Sequence, residues 1–75
     1  MKRGGVEMKL VKLIGYRSMA LCSQNDIAQV LGVSYPTYNA KENGKNAFTD
    51  KEKKIIRDFL SERLGRKFTI DELFF

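Results

Sequence analysis

Between Ser23 and Lys45 the chain carries two short apolar-periodic runs, Gln24 to Leu31 and Tyr35 to Glu42, separated only by a turn at Gly32-Val33-Ser34. Neither run can hold a helix alone, because isolated helices shorter than about 12–15 residues are marginal in water. Two short helices joined by a three- or four-residue turn containing glycine describe a helix-turn-helix. The turn sets demands on its neighbours. Ala28 has to be small where the second helix crosses over the first, and Gly32 has to take a positive φ that a Cβ resists. Tyr38 has to be large and apolar enough to hold its helix against the core. Ser23 with Asp26 resembles an N-terminal capping box, Ser34 is a cap, and Pro36 falls in the first turn, where its missing N–H does no harm.

The flanking sequence is punctuated in the same way. Met1-Lys2-Arg3-Gly4-Gly5 reads as a flexible basic arm over 1–5, followed by one domain over 6–75. Val6, Leu10, Leu13, Ile14 and Arg17 recur at helical spacing and predict a first helix from about Val6 to Met19, with Lys9, Lys12 and Tyr16 around its other side. Thr49 and Glu52 form a capping box ahead of Ile55, Ile56, Phe59, Leu60 and Leu64, and Gly65 closes that helix. Thr69 with Glu72 opens a last short turn bearing Leu73, Phe74 and Phe75. No alternating run reads as a strand. The expectation is an all-α domain of four helices plus a terminal helical turn.

Composition narrows the function classes. The 75 residues include 14 Lys and Arg against 9 Asp and Glu, a net charge of +5, and 43% hydrophobic residues. That surplus favours an anionic partner and does not specify a fold. His is absent and Cys occurs once, at Cys22, which leaves no imidazole base, no Ser–His or Cys–His pair, no zinc cluster and no intrachain disulfide. The reading is a non-enzyme without metal, cofactor or small-molecule ligand, in a reducing, cytoplasmic compartment. Cys22 is expected to be a buried, inert thiol. No stretch is apolar for long enough to cross a membrane or to serve as a signal peptide.

Ser23-Gln24, Ile27-Ala28, Leu31-Gly32-Val33-Ser34, Thr37 and Glu42-Asn43-Gly44-Lys45 together resemble the lambda-type repressor and Cro helix-turn-helix family. With Lys41, Phe48-Thr49 and Glu52 added, the pattern looks most like short regulators of phages and mobile elements, over roughly Leu10 to Leu64. The resemblance implies a lambda-repressor-like DNA-binding domain whose helix 35–42 enters the major groove while helix 24–31 lies across the backbone. Tyr35, Pro36 and Ala40, flanked by Thr37 and Asn39, would face the bases, with Asn39 suited to adenine and the methyls of Thr37 and Ala40 to thymine. Family members often carry Gln, Arg or Lys in those places, so operator shape is expected to supply part of the specificity. Gln24, Ser34, Asn43, Gly44 and Lys45 would meet phosphates, and Arg17 with Glu42 would form a buried ion pair tying helix 1 to helix 3.

The function expected on this basis is a sequence-specific transcriptional regulator, Cro- or repressor-like, bound to double-stranded DNA as a weak homodimer. The alternative is a protein-interaction module of the same fold that binds a repressor, a polymerase subunit or a toxin. Lys51, Lys53, Lys54 and Arg57, mixed with Asp50, Glu52 and Asp58, read as a solvated helix face. Ile70, Leu73 and Phe74 are expected to close the core, with Phe75 at the edge of the dimer contact.

Overall fold

A computed structural model describes residues 9–75. Helices α1 (Val11–Met19), α2 (Gln24–Leu31), α3 (Tyr35–Glu42), α4 (Asp50–Leu64) and α5 (Ile70–Phe74) follow in order, with no strand among the described residues. The chain is a small all-α domain. None of these helices is long and apolar enough to cross a membrane.

Local chemistry sets most helix starts. Ser23, Thr49 and Thr69 each accept the N–H of the residue three ahead (3.0, 3.1 and 3.1 Å), and Asp26, Glu52 and Glu72 each accept back from the cap's own N–H at 2.9 Å. Ser34 caps α3 from one side only, its Oγ accepting the Thr37 N–H at 3.3 Å. Such a cap contributes about 1 kcal/mol, which matters for helices this short.

Helix ends follow one pattern. The amides of Cys22, Val33, Lys45 and Arg66 each reach back five residues to a helix carbonyl, at 2.9–3.1 Å. Each such closure needs a left-handed residue just before the donating amide. Gly32, Gly44 and Gly65 fill that place in three closures, with φ of 75°, 84° and 67°. The fourth is filled by Leu21, with φ 58°.

The first helix is shorter than its periodicity predicts. Positions 1–8, including the expected arm and Val6, lie outside the described residues. Lys9 and Leu10 are not helical: α1 begins at Val11. The reason is tertiary. The Leu10 N–H donates to the Glu42 carbonyl at 3.0 Å, holding Leu10 at φ −85°, ψ 75° against the end of α3.

The core lies where α1, α2, α4 and α5 meet. Leu13, Ile27, Ala28, Tyr38, Ile56 and Leu60 are wholly buried, with Cys22, Phe48, Phe68, Leu73 and Phe74 around them. Phe48 joins its two flanks, its ring edge-on to Tyr38 and to Phe74 at 5.7 and 5.4 Å. Leu73 and Phe74 thus close the core, Ile70 packs at its margin, and Phe75 stands 74% exposed.

Several side chains differ from their periodic assignment. Tyr16, expected outside, packs edge-on to Phe68 at 4.6 Å, and the Arg66 guanidinium lies 4.0 Å over the Phe68 ring. Ile55, part of the apolar periodic run of α4, is only half-buried, because α4 turns Ile56 and Leu60 inward. Val30 is exposed although it sits in an apolar run. α2 packs on α3 and α4, and α1 and α4 pack on α5. α3 has α2 as its main partner and gives the hydrophobic core a single side chain, Tyr38.

Candidate nucleic-acid interface

α3 is anchored through a buried carboxylate. Glu42, 1% exposed, lies one turn beyond Tyr38 on the inner face of the helix. Its Oε2 accepts from Arg17 Nε and from the Tyr38 hydroxyl, both at 2.8 Å. Its Oε1 accepts from Arg17 Nη2 at 3.0 Å and from Gln24 Nε2 at 2.6 Å. Four donors from α1, α2 and α3 replace the water this charge has lost, as burial of a charge requires. The remaining Arg17 nitrogen, Nη1, donates to the Cys22 carbonyl at 3.0 Å, so one guanidinium ties α1, the loop after it and α3 together. Hydrogen bonding to Glu42 raises the Arg17 pKa above its ordinary value. Burial, reinforced by the Glu42 charge, pushes the Tyr38 phenol well up, so it remains a donor.

With Tyr38 and Glu42 turned inward, the opposite face of α3 has little to do inside the molecule. Tyr35, Pro36 and Thr37 are exposed, and Asn39 and Ala40 are half-buried. Asn39 follows Tyr35 by four residues and Pro36 by three, which puts these side chains on one face of the helix. The five expected base-facing residues are thus exposed or half-buried along α3, from its first residue to its sixth. Thr37 Oγ1 accepts from the Ser34 hydroxyl at 2.9 Å.

The expected phosphate contacts fare differently. The Gln24 side chain is committed inward at both ends: Nε2 donates to Glu42, and Oε1 accepts from Asn39 Nδ2 at 3.0 Å. Asn43 Nδ2 donates to the Asn39 carbonyl at 2.8 Å, closing the end of α3. The Gly44 N–H returns to the Lys41 carbonyl at 3.1 Å and the Lys45 N–H to the Ala40 carbonyl at 2.9 Å, so these loop amides are already satisfied. Ser34 is occupied as the α3 cap. Of that set, the exposed Lys45 ammonium is the group with no ion-pair partner among the described residues.

The other cation near α3 is neutralised. Lys41 Nζ meets both oxygens of Glu52 at 2.6 and 2.8 Å and lies 5.9 Å from the Phe48 ring centre. Burial works to raise the Glu52 carboxyl, and the bonds from Lys41 and the Thr49 N–H outweigh it, holding its pKa below the ordinary value. Further away, Arg57 pairs with Asp58 and Arg66 with Glu72, while Lys51, Lys54 and Lys67 stand exposed.

The arrangement holds no group of metal-ligating side chains among the described residues. What it offers is an outward helix face held by a buried polar network. The Tyr38–Glu42 part of that network has a sequence signal, an aromatic and a carboxylate one helical turn apart. The Gln24–Asn39 bond has none, because two amides fifteen positions apart meet only through the packing of α2 on α3. Comparison of the chain with protein-family models, with characterised proteins and with solved structures found no match.

Proposed function

We propose that this chain is a sequence-specific DNA-binding transcriptional regulator that inserts α3 into the major groove of a promoter operator, as its resemblance to the lambda-type repressor and Cro family implies. The observation that carries the reading is the division of labour within α3. Of α3 only Tyr38 and Glu42 are buried, while Tyr35, Pro36 and Thr37 are exposed and Asn39 and Ala40 half-buried on its outer side. A helix of eight residues joined to α2 by a short turn is the right size for a major groove about 12 Å wide. The net charge of +5 and Lys45, which has no ion-pair partner among the described residues, supply attraction to phosphate. One such helix covers few base pairs, so the proposed unit on DNA is a weak homodimer reading half-sites about 34–36 Å apart.

A second reading, a module that binds another protein, is favoured by one feature. Tyr35, Pro36 and Ala40 carry no charge, and Lys41 is neutralised by Glu52, so the outer face of α3 is uncharged. Salt separates the two. In a titration against a pool of random-sequence duplexes, DNA binding must weaken steeply as salt rises, by a log–log slope of about 0.9 for each phosphate neutralised. Lys45→Ala is expected to weaken binding to all duplexes alike and to flatten that slope by about 0.9. Salt-insensitive or absent duplex binding by the wild type would rule out the DNA reading and leave the protein-binding one.

A further inference from the structure

Asn39 does not simply lie on the outer face of α3; the direction of its amide is dictated from the core. A carboxylate can only accept, so the atom that Gln24 places 2.6 Å from Glu42 Oε1 has to be its nitrogen, Nε2. The other end of the Gln24 amide is then the oxygen, which can only accept, and the atom of Asn39 at 3.0 Å from it has to be Nδ2. Polarity thus runs one way, from the buried Glu42 through Gln24 to Asn39. Arg17 and Tyr38 hold the origin of this chain by donating to Glu42 as well.

The consequence is at the outer end. An Asn amide has two N–H donors and one oxygen. One N–H is used on Gln24, and among the described residues no hydrogen bond uses the second N–H or Oδ1. Asn39 therefore presents one donor and one acceptor in a fixed order. Adenine in the major groove presents the complement, the N7 acceptor beside the N6 donor. Guanine presents two acceptors, N7 and O6, and would set O6 against Asn39 Oδ1. An unrestrained amide escapes that clash by turning over and offering its nitrogen. A restrained one cannot.

We propose that Gln24 is a positioning residue for base recognition: slaved to the buried Glu42, it fixes the sense of the Asn39 amide and so selects adenine over guanine at one operator position. This rests on the DNA-binding reading above. One N–H of Gln24 Nε2 and its Oε1 are engaged inside the molecule, and these two bonds set the sense of its amide.

The polarity argument yields an unusual test, because it specifies a substitution that should invert the preference. A lysine at position 24 can donate to Glu42 but has no acceptor for Asn39. In Gln24→Lys the Asn39 amide is expected to turn its oxygen inward and its two N–H groups outward, which suits guanine. The probe is a pool of duplexes with a randomised centre, with bound and free fractions sequenced at one salt concentration. The wild type should enrich adenine over guanine at one position by roughly tenfold or more, and Asn39→Ala should abolish that enrichment. Gln24→Lys should move the preference at that position to guanine, and Gln24→Met should leave adenine and guanine within a few-fold of each other. A general gain in affinity from the added lysine charge does not alter these ratios. If Gln24→Lys and Gln24→Met keep the adenine preference, the relay is wrong even though the chain binds DNA. A wild type without salt-dependent duplex binding would instead overturn the function proposed above, and base selection with it. The restraint can also be read in the free protein by NMR, as a coupling across the hydrogen bond between the Asn39 side-chain nitrogen and the Gln24 side-chain carbonyl. It should be present in the wild type and lost in Gln24→Met; its absence from the wild type would overturn the relay without reference to DNA.

Discussion

Leu21 and Gly15 have exchanged the places that backbone physics would give them. Leu21 holds φ 58° at the close of α1, where a Cβ crowds the following carbonyl and glycine does not. It is also 89% exposed, so its side chain returns almost nothing in burial. Gly15 sits in the middle of α1, and a Cβ added there would meet nothing within 4 Å. Leu21→Gly is expected to stabilise the domain by about 1 kcal/mol through relief of the left-handed conformation. Gly15→Ala should contribute a similar amount, about 1 kcal/mol, by helix propensity. Each would appear in thermal unfolding as a rise of about 4–8 °C. A fall in Tm for Leu21→Gly would mean that the exposed leucine makes a contact absent from the isolated chain. Glu42 is the opposite case, a residue with no slack. Glu42→Ala strands Arg17 and leaves the Tyr38 hydroxyl and Gln24 without an acceptor, and a loss of about 3–5 kcal/mol is expected in urea unfolding. At this scale the sequence was partly legible. The Arg17–Glu42 pair came from resemblance, whereas the inward commitment of Gln24 and Asn43 depends on which neighbour packing brings within 3 Å.

The helices were legible at their ends because caps and stops are local. Ser23 with Asp26, Thr49 with Glu52 and Thr69 with Glu72 all do what their spacing indicates, and Gly32 and Gly65 close α2 and α4. The start of α1 was not legible, since what ends the helix there is a bond from Leu10 to the far end of α3. Its end at Met19 falls where the periodicity placed it, but the left-handed close at Leu21 was not legible, because leucine carries no signal for positive φ. The same boxes make the elements sensitive to acid. Hydrogen bonds from Ser23 hold the Asp26 pKa below its ordinary 3.8. Bonds from Thr69 and then Arg66 hold Glu72 below 4.5, and Glu52 is likewise depressed, against its burial, by Lys41 and Thr49. A carboxyl with a lowered folded pKa stabilises the fold above its unfolded value and loses that contribution as pH falls through the folded one. Stability should therefore be level down to about pH 5 and decline below about pH 4.5, with α2, α4 and α5 fraying from their N-termini. Chemical denaturation at a series of pH values measures this. Glu52→Gln should be less stable at neutral pH and show a shallower acid decline; an unchanged decline would mean that Glu52 and Lys41 act as an exposed pair does.

The molecule as a whole spends its aromatic residues on joints: Tyr38, Phe48 and Phe74 run from α3 to α5, and Tyr16, Phe68 and Arg66 stack over the seam of α1 with the α4–α5 loop. Five helices in this order could be read from the sequence, but Phe68 in the core could not, because it falls in a loop where no periodicity points inward. One apolar edge remains. Val11 is 69% and Phe75 74% exposed, and with Leu10, Leu73 and Phe74 they line an open groove of about 340 Å³. Lys9 and Lys12 border this groove, and Lys53 lies 5.0 Å from the Phe75 ring centre. If the proposed homodimer forms here, two rims of lysine approach each other, and their repulsion is screened as ionic strength rises. Self-association and DNA binding should then respond to salt with opposite signs, since the release of counterions makes DNA binding weaken. Sedimentation of the wild type is expected to show a weak monomer–dimer equilibrium that moves toward dimer with added salt. Phe75→Ser should remain monomeric at every salt concentration, keep its thermal stability because the side chain is outside the core, and bind a palindromic duplex without cooperativity. If the wild type occupies both half-sites of such a duplex independently, or Phe75→Ser dimerises as the wild type does, this edge is not the interface, and the pairing of two reading helices has to come from elsewhere on the surface.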